Sequence, residues 1–296
     1  MENTSMTALV SAFARAYHAA HKETKIFDDP LARQLLSDEE SHAIAQNMAD
    51  GIAFFSPGFC GTQAEALRRI MDCHLSPTPL GRAAFAERAL ETAVRCGARQ
   101  YLILGAGFDT FAYRQPDWAQ PLEIFELDQP AMSADKRRRL ECADLPVPDN
   151  VHLLSADLSD SDWTAALTGH PAFDQRRITL CSALGLVYYL PKSAFAQLLS
   201  ALAGILPQGS GIVFDYPDRG RDGVQTALAG GAGEPMQASY SYPELEALLA
   251  EHGFLIYEHL TPQEITAQYF ADYNRANPEH PMSAQSGVNY CLAVRR

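Results

Sequence analysis

The sequence predicts an α/β fold built on a parallel sheet, with a helical segment ahead of it. From residue 100 onward, short apolar runs alternate with helical patterns, which is how a sheet covered on both faces reads. The first 98 residues contain no strand pattern. The first apolar run, Tyr101–Leu104, ends in Gly105-Ala106-Gly107, with Asp109 two positions later. A buried strand ends this way where the backbone turns tightly and approaches a ligand, because glycine has no Cβ to obstruct either.

Taken in order, Thr7–His21 carries Leu9, Val10, Phe13, Ala16 and Tyr17 at spacings of three and four, an amphipathic helix. Asp28-Asp29-Pro30 is a helix start, an acidic cap before proline at the first helical position. Gly81–Cys96 is a second helix, stopped by Gly97 at the C′ position. Strands are expected at 101–104, 122–127, 151–155, 178–182, 211–216, 254–259 and 288–294, with helices over Lys192–Ile205 and Tyr242–His252 among them. A longer polar stretch, 260–287, separates the last two strands, so that pair need not be parallel. The chain thus divides into a helical segment, 1–98, and a sheet-bearing core, 99–296. The Gly-, Ala- and charge-rich stretch 217–240 follows a strand, at the edge where open α/β sheets bind ligands, and reads as a loop bordering the substrate site.

Composition narrows the function. The chain has 296 residues, 47% hydrophobic and 20% charged, with a formal net charge of −13. That balance argues against duplex nucleic acid as a partner, since phosphate binding needs a basic face. The basic run Lys136–Arg139 reads as a solvated helix face. Six cysteines without a CxxC pair read as reduced thiols, and His18 and His21 as helix-surface residues, so no disulfide or metal site is expected. There is no 18-residue apolar run and no secretory signal, so the expectation is a cytoplasmic protein with no membrane span.

The cofactor follows from what surrounds the glycine turn. The dinucleotide fingerprint needs a third glycine where this chain has Thr110, and no P-loop lysine motif is present. A pyrophosphate is therefore disfavoured. At the end of the second strand, Glu126-Leu127-Asp128 offers a carboxylate that can accept both hydroxyls of a ribose diol, a group shared by NAD and S-adenosylmethionine. After the third strand, Asp157 can accept from an adenine amino group and Leu158 can pack on the ring. Acidic strand ends are common singly; three in order on successive strands are far more specific.

Together these pieces resemble the leucine carboxyl methyltransferase family, including its bacterial polyketide-type O-methyltransferases. The resemblance spans nearly the whole chain. It rests on Arg15-Ala16-Tyr17-His18, Ile26-Phe27-Asp28-Asp29-Pro30-Leu31-Ala32, Arg82 in GRAAFAERAL, LILGAGFDTFAYR, FELDQPAM, SADLSDSDW and GLVYYLP at 185–191. It implies a class I S-adenosylmethionine-dependent methyltransferase, a Rossmann-like seven-stranded sheet under an N-terminal helical lid. It further implies that Arg82 and Lys25 hold the methionine carboxylate of the cofactor. Gly105 and Gly107, with Ala106 and Asp109 in the same turn, would line the methionine and ribose. Asp128 would take the ribose, and Asp157 and Leu158 the adenine.

Two positions depart from the family pattern. Phe111 stands where an arginine is usual, and Leu184 where a glutamate faces the cofactor amino group. Loss of one such partner costs about 1–3 kcal/mol, roughly ten- to hundredfold in affinity. Neighbouring carbonyls or Glu126 are the candidates to compensate. Tyr188 and Tyr189 follow the fourth strand and either position an acceptor oxygen or pack under the lid. The expected activity is methylation of a carboxyl or hydroxyl oxygen of a small molecule, with S-adenosylhomocysteine as product. The alternative is a weak or inactive binder of the same cofactor. An NAD-dependent oxidoreductase is disfavoured by Thr110 and by the lid.

Overall fold

The structure is a computed structural model, which describes residues 5–160, 162–218, 230 and 235–296. Helix α1 (Met6–His21) opens the chain, capped by Ser5, whose hydroxyl accepts from Ala8 N. Asp29 does start a helical turn, but a short 3-10 one over Pro30–Leu35. Then follow α2 (Asp38–Asp50), α3 (Ile52–Phe55), α4 (Gln63–Ile70) and α5 (Pro77–Arg95). Helix α5 begins four residues before the expected Gly81, because Pro77 and Pro79 sit in its first turn, where no backbone N–H is needed.

The remainder builds one sheet of β1 (Gln100–Leu104), β2 (Glu123–Asp128), β3 (Val151–Ser155), β4 (Thr179–Ala183), β5 (Gly211–Pro217), β6 (Phe254–Leu260) and β7 (Val288–Arg295). Its order is β3-β2-β1-β4-β5-β7-β6, parallel except for β7, which runs antiparallel between β5 and β6. Helices α6 (Pro130–Cys142), α7 (Thr164–Thr168), α8 (Lys192–Ile205), α9 (Tyr242–Glu251), α10 (Pro262–Ile265) and α11 (Ala271–Ala276) complete the layers. Alternation in β1 divides the core: Leu102 and Leu104 join one buried cluster with Phe125 and Leu198, while Tyr101 and Ile103 join another with Phe85 and Leu90 of α5. A third cluster seats Leu9 and Phe13 of α1 on Phe108, just past the glycine turn, and on Met132 of α6. That contact holds the helical segment against the sheet's ligand edge.

Two surface expectations fail. His18 is fully buried, its Nε2 accepting from Ile26 N, whereas His21 is exposed. Lys136 and Arg139 are buried as well. Lys136 pairs with Glu126 at 2.6 Å and Arg139 with Glu40 at 2.6 Å and Asp135 at 2.9 Å. Sequence pattern marks a basic run but not the acids that fold back onto it. Of the stretch 217–240, residues 219–229 and 231–234 lie outside the described residues. Past them, Gln237 N donates to Tyr188 O and Tyr240 N to Pro217 O, which docks 237–240 beside β5.

Candidate functional site

The strand order reverses at β1, whose two neighbours are β2 and β4. Connections leave in opposite directions there, so a crevice opens at the C-terminal ends of these strands. A cavity of about 640 Å³ lies at that place, roofed by α1 and flanked by α5. It falls within the ~300–1,000 Å³ of small-molecule sites.

The glycine turn forms its floor. Gly105 and Gly107 have φ of +64° and +47°, the left-handed region that side chains resist. Gly105 N and Ala106 N both donate to Leu127 O, at 2.9 and 3.1 Å, tying the turn to β2. The Asp128 carboxylate accepts from Gly107 N at 2.6 Å and Gln129 N at 2.8 Å. Burial pushes this carboxyl above the ordinary carboxylate value, against the pull of those two N–H donors. Asp109 also lines the cavity, its Oδ1 accepting from Phe111 N at 2.8 Å.

Opposite stands Arg82 of α5. Its Nη1 is 3.3 Å from Asp215 Oδ2, and its Nη2 donates to Ser11 Oγ of α1 at 3.3 Å. Burial works against this charge, but Asp215, then Tyr188, more than offset it and hold the guanidinium protonated. Asp215, on β5, has no solvent exposure. Its Oδ1 accepts from Gly185 N at 2.6 Å and its Oδ2 from the Tyr188 hydroxyl at 2.9 Å. Leu184, Tyr188 and Tyr189 all line the cavity, as does Met236 from the far side of the 217–240 stretch.

The roof is fastened by charge. Arg15 of α1 pairs with Asp29 through Nε at 2.8 Å, and donates to Phe108 O at 2.6 Å and Ser11 Oγ at 3.1 Å. Asp29 also accepts from Thr110 Oγ1 at 2.7 Å, with Arg114 Nε 3.5 Å away. Burial alone would raise the Asp29 carboxyl, but Arg15 and Arg114 outweigh it and hold it below the usual range.

The cavity thus brings together Arg82, Gly105, Ala106, Gly107, Asp109, Asp128, Leu184, Tyr188 and Tyr189, nine of the positions singled out in the sequence. Four stand apart. The Lys25 ammonium donates to the carbonyls of His18, Ala19 and Lys22 at the end of α1. Glu126 points away to Lys136 and Tyr113. Asp157 turns onto Ser159, at 2.6 Å, and onto Gln129 Nε2, at 3.4 Å, next to Asp128, while Leu158 packs on the core. Phe111 is buried against Tyr101 and Trp118, and it is Arg114 that brings a guanidinium to Thr110 Oγ1, at 3.0 Å. Asp215, Arg15 and Ser11 were not anticipated as site residues. The signal for Asp215 was a single acid inside the otherwise apolar run GIVFDYP.

Among the described residues no group of three or more His, Cys, Asp or Glu is placed to hold a metal ion, and no helix is long and apolar enough to cross a membrane. The leucine carboxyl methyltransferase model matches residues 8–203. The "Putative S-adenosyl-L-methionine-dependent methyltransferase YktD" of Bacillus subtilis is 36% identical over 99% of this chain and 98% of its own. A "Putative S-adenosyl-L-methionine-dependent methyltransferase" of Mycobacterium marinum is 33% identical over 72% of this chain and 67% of its own. A crystal structure of a "putative methyltransferase" from Thermobifida fusca matches with a TM-score of 0.61 at 16% identity, over 99% of this chain and 96% of its own. A DUF574 family protein from Streptomyces avermitilis matches at 0.59 and 14% identity, over 97% of each chain. These two show the same fold, and on sequence this chain belongs to the leucine carboxyl methyltransferase family.

Proposed function

We propose that this protein is an S-adenosylmethionine-dependent methyltransferase that methylates a carboxyl or hydroxyl oxygen of a small molecule. The observation that carries the reading is one cavity with the paired left-handed glycines and the half-buried Asp128 on one side and the cationic Arg82 on the other. The donor set fits the cofactor. Asp128 would accept the ribose hydroxyls. The backbone of Gly105–Gly107 would lie along the methionine and ribose, since these left-handed glycines put no Cβ between the backbone and a ligand. Arg82 would take the amino-acid carboxylate. Asp157 and Leu158, beside Gln129, would meet the adenine at the rim. Lys25, engaged on three carbonyls, is left out of this assignment.

Bound S-adenosylmethionine supplies an electrophilic methyl on a sulfonium. The chain's part is to align an acceptor oxygen behind it and to keep water away, which is where proximity makes its contribution. Met6, Val10, Met48 and Leu75 from the helical segment give the cavity an apolar side for the acceptor. A carboxylate acceptor is already ionised at neutral pH and asks for no base, whereas a phenol has a pKa near 10 and benefits from one.

Calorimetric titration with S-adenosylmethionine, S-adenosylhomocysteine and NAD tests the reading. Micromolar binding of the first two and none of NAD is expected. Absence of S-adenosylmethionine binding would sink it. Binding without turnover across panels of carboxylic acids and phenols would favour a non-catalytic binder, which Phe111 and Leu184 motivate.

A further inference from the structure

Asp215 bonds to Arg82 and Tyr188, which line the cavity, without lining it itself. It sits in β5 between Phe214 and Tyr216, both buried. A carboxylate in such a strand carries a heavy desolvation penalty unless its oxygens are filled. Here they are filled by three donors, two from the segment after β4 and one from α5: Gly185 N at 2.6 Å, the Tyr188 hydroxyl at 2.9 Å and Arg82 Nη1 at 3.3 Å. Arg82 and Tyr188 reach the cavity surface, whereas Asp215 lies behind them.

The fit is tight as well as charged. Gly185 has φ +71°, and a Cβ there would fall 2.5 Å from Arg82 Nη1. Arg82 therefore lies flat on the Gly185 backbone while Asp215 grips one end of its guanidinium. Its other end reaches Ser11 on the roof helix. A guanidinium pinned at one nitrogen is ordered before any anion arrives, so less side-chain entropy is lost on binding.

We propose that Asp215 is a positioning residue: it holds Arg82 aimed at the carboxylate of the cofactor's amino-acid tail and, through the Tyr188 hydroxyl, fixes the acceptor side to the same anchor. The proposal rests on the cofactor reading above. It makes a specific claim, that Asp215 matters for the tail of the cofactor and not for its nucleoside.

Two probes separate these. S-adenosylhomocysteine carries the amino-acid tail; 5′-methylthioadenosine is the same nucleoside thioether without it. Calorimetry on Asp215→Asn, which keeps shape and removes charge, is expected to show S-adenosylhomocysteine affinity lower by at least about tenfold. Affinity for 5′-methylthioadenosine stays within about twofold. In an Arg82→Met background the same substitution then has little further effect on S-adenosylhomocysteine, because the two residues act as one unit. Equal losses for both probes, additive losses in the double variant, or no loss at all would each overturn the proposal. Tyr188→Phe strips one donor from the carboxylate without touching its charge, and serves if Asp215→Asn does not fold. A drop of about threefold confined to S-adenosylhomocysteine is expected there, and an unmoved affinity counts against the proposal. If the wild-type protein binds neither probe, the cofactor reading itself fails and the proposal goes with it.

Discussion

Arg15 Nε and Asp29 Oδ2 lie 2.8 Å apart, with side-chain exposures of 10% and 0%. This pair joins the roof helix to the turn that follows it, and Thr110 Oγ1 on the same carboxylate ties both to the loop after β1. Removing one member of a buried pair leaves the other charged and unpartnered, which is worse than never having had the pair. Asp29→Asn is expected to destabilise the protein by about 3 kcal/mol. Urea denaturation followed by circular dichroism reads this, and an unchanged midpoint would mean that apolar packing alone seats the roof. The sign with pH follows from the depressed carboxyl. Its contribution is present above the ordinary aspartate range and is lost only as pH falls through the lower folded value.

His18 shifts stability with pH in the same direction, from a different cause. Burial first, then Lys25 and Lys22, lower its pKa from 6.5 to about 4. The unfolded chain therefore takes up a proton that the folded chain refuses. Stability is whole above the unfolded value and declines as pH falls from 6.5 towards 4. The full decline is about 3 kcal/mol. His18→Gln keeps an acceptor for Ile26 N and has nothing to protonate. Its melting temperature should fall less steeply between those pH values than that of the wild type, and parallel curves would remove His18 as the cause.

Asp128→Ala should weaken S-adenosylmethionine binding by at least about tenfold, since a bidentate acceptor for the ribose is lost and Gly107 N is left without its partner. The same calorimetry decides it. Unchanged affinity would mean that the ribose lies elsewhere.

Gly185→Ala should also weaken the cofactor, by a different route. A side chain at φ +71° is strained by about 1–2 kcal/mol, and its Cβ displaces the Arg82 guanidinium. The expected outcome is a loss of S-adenosylhomocysteine affinity of about tenfold or more. An affinity equal to wild type would show that Arg82 accommodates the methyl without leaving its ligand.

Leu184→Glu restores the carboxylate usual in the family at a position that lines the cavity. It should tighten S-adenosylmethionine by about tenfold. Weaker or unaltered binding would clear Leu184 of responsibility for any deficit in this protein.

The sequence by itself determined the alternation that makes an α/β sheet, the helical segment ahead of it, the glycine turn and the acid at the end of β2. These are local: a strand's apolar run, a glycine's positive φ and an acid three residues past a buried phenylalanine are written in consecutive residues. Family likeness added Arg82 and the paired tyrosines. Only the tertiary structure decided which charges meet. Asp215 and Arg82 are 133 positions apart, and Arg139 reaches Glu40 across 99. No periodicity records such pairs, because burial makes them necessary only after the elements have packed. For the same reason Lys25, next in sequence to the lid motif, caps the end of the preceding helix α1, while His18 and Lys136, polar by composition, were drawn into the interior.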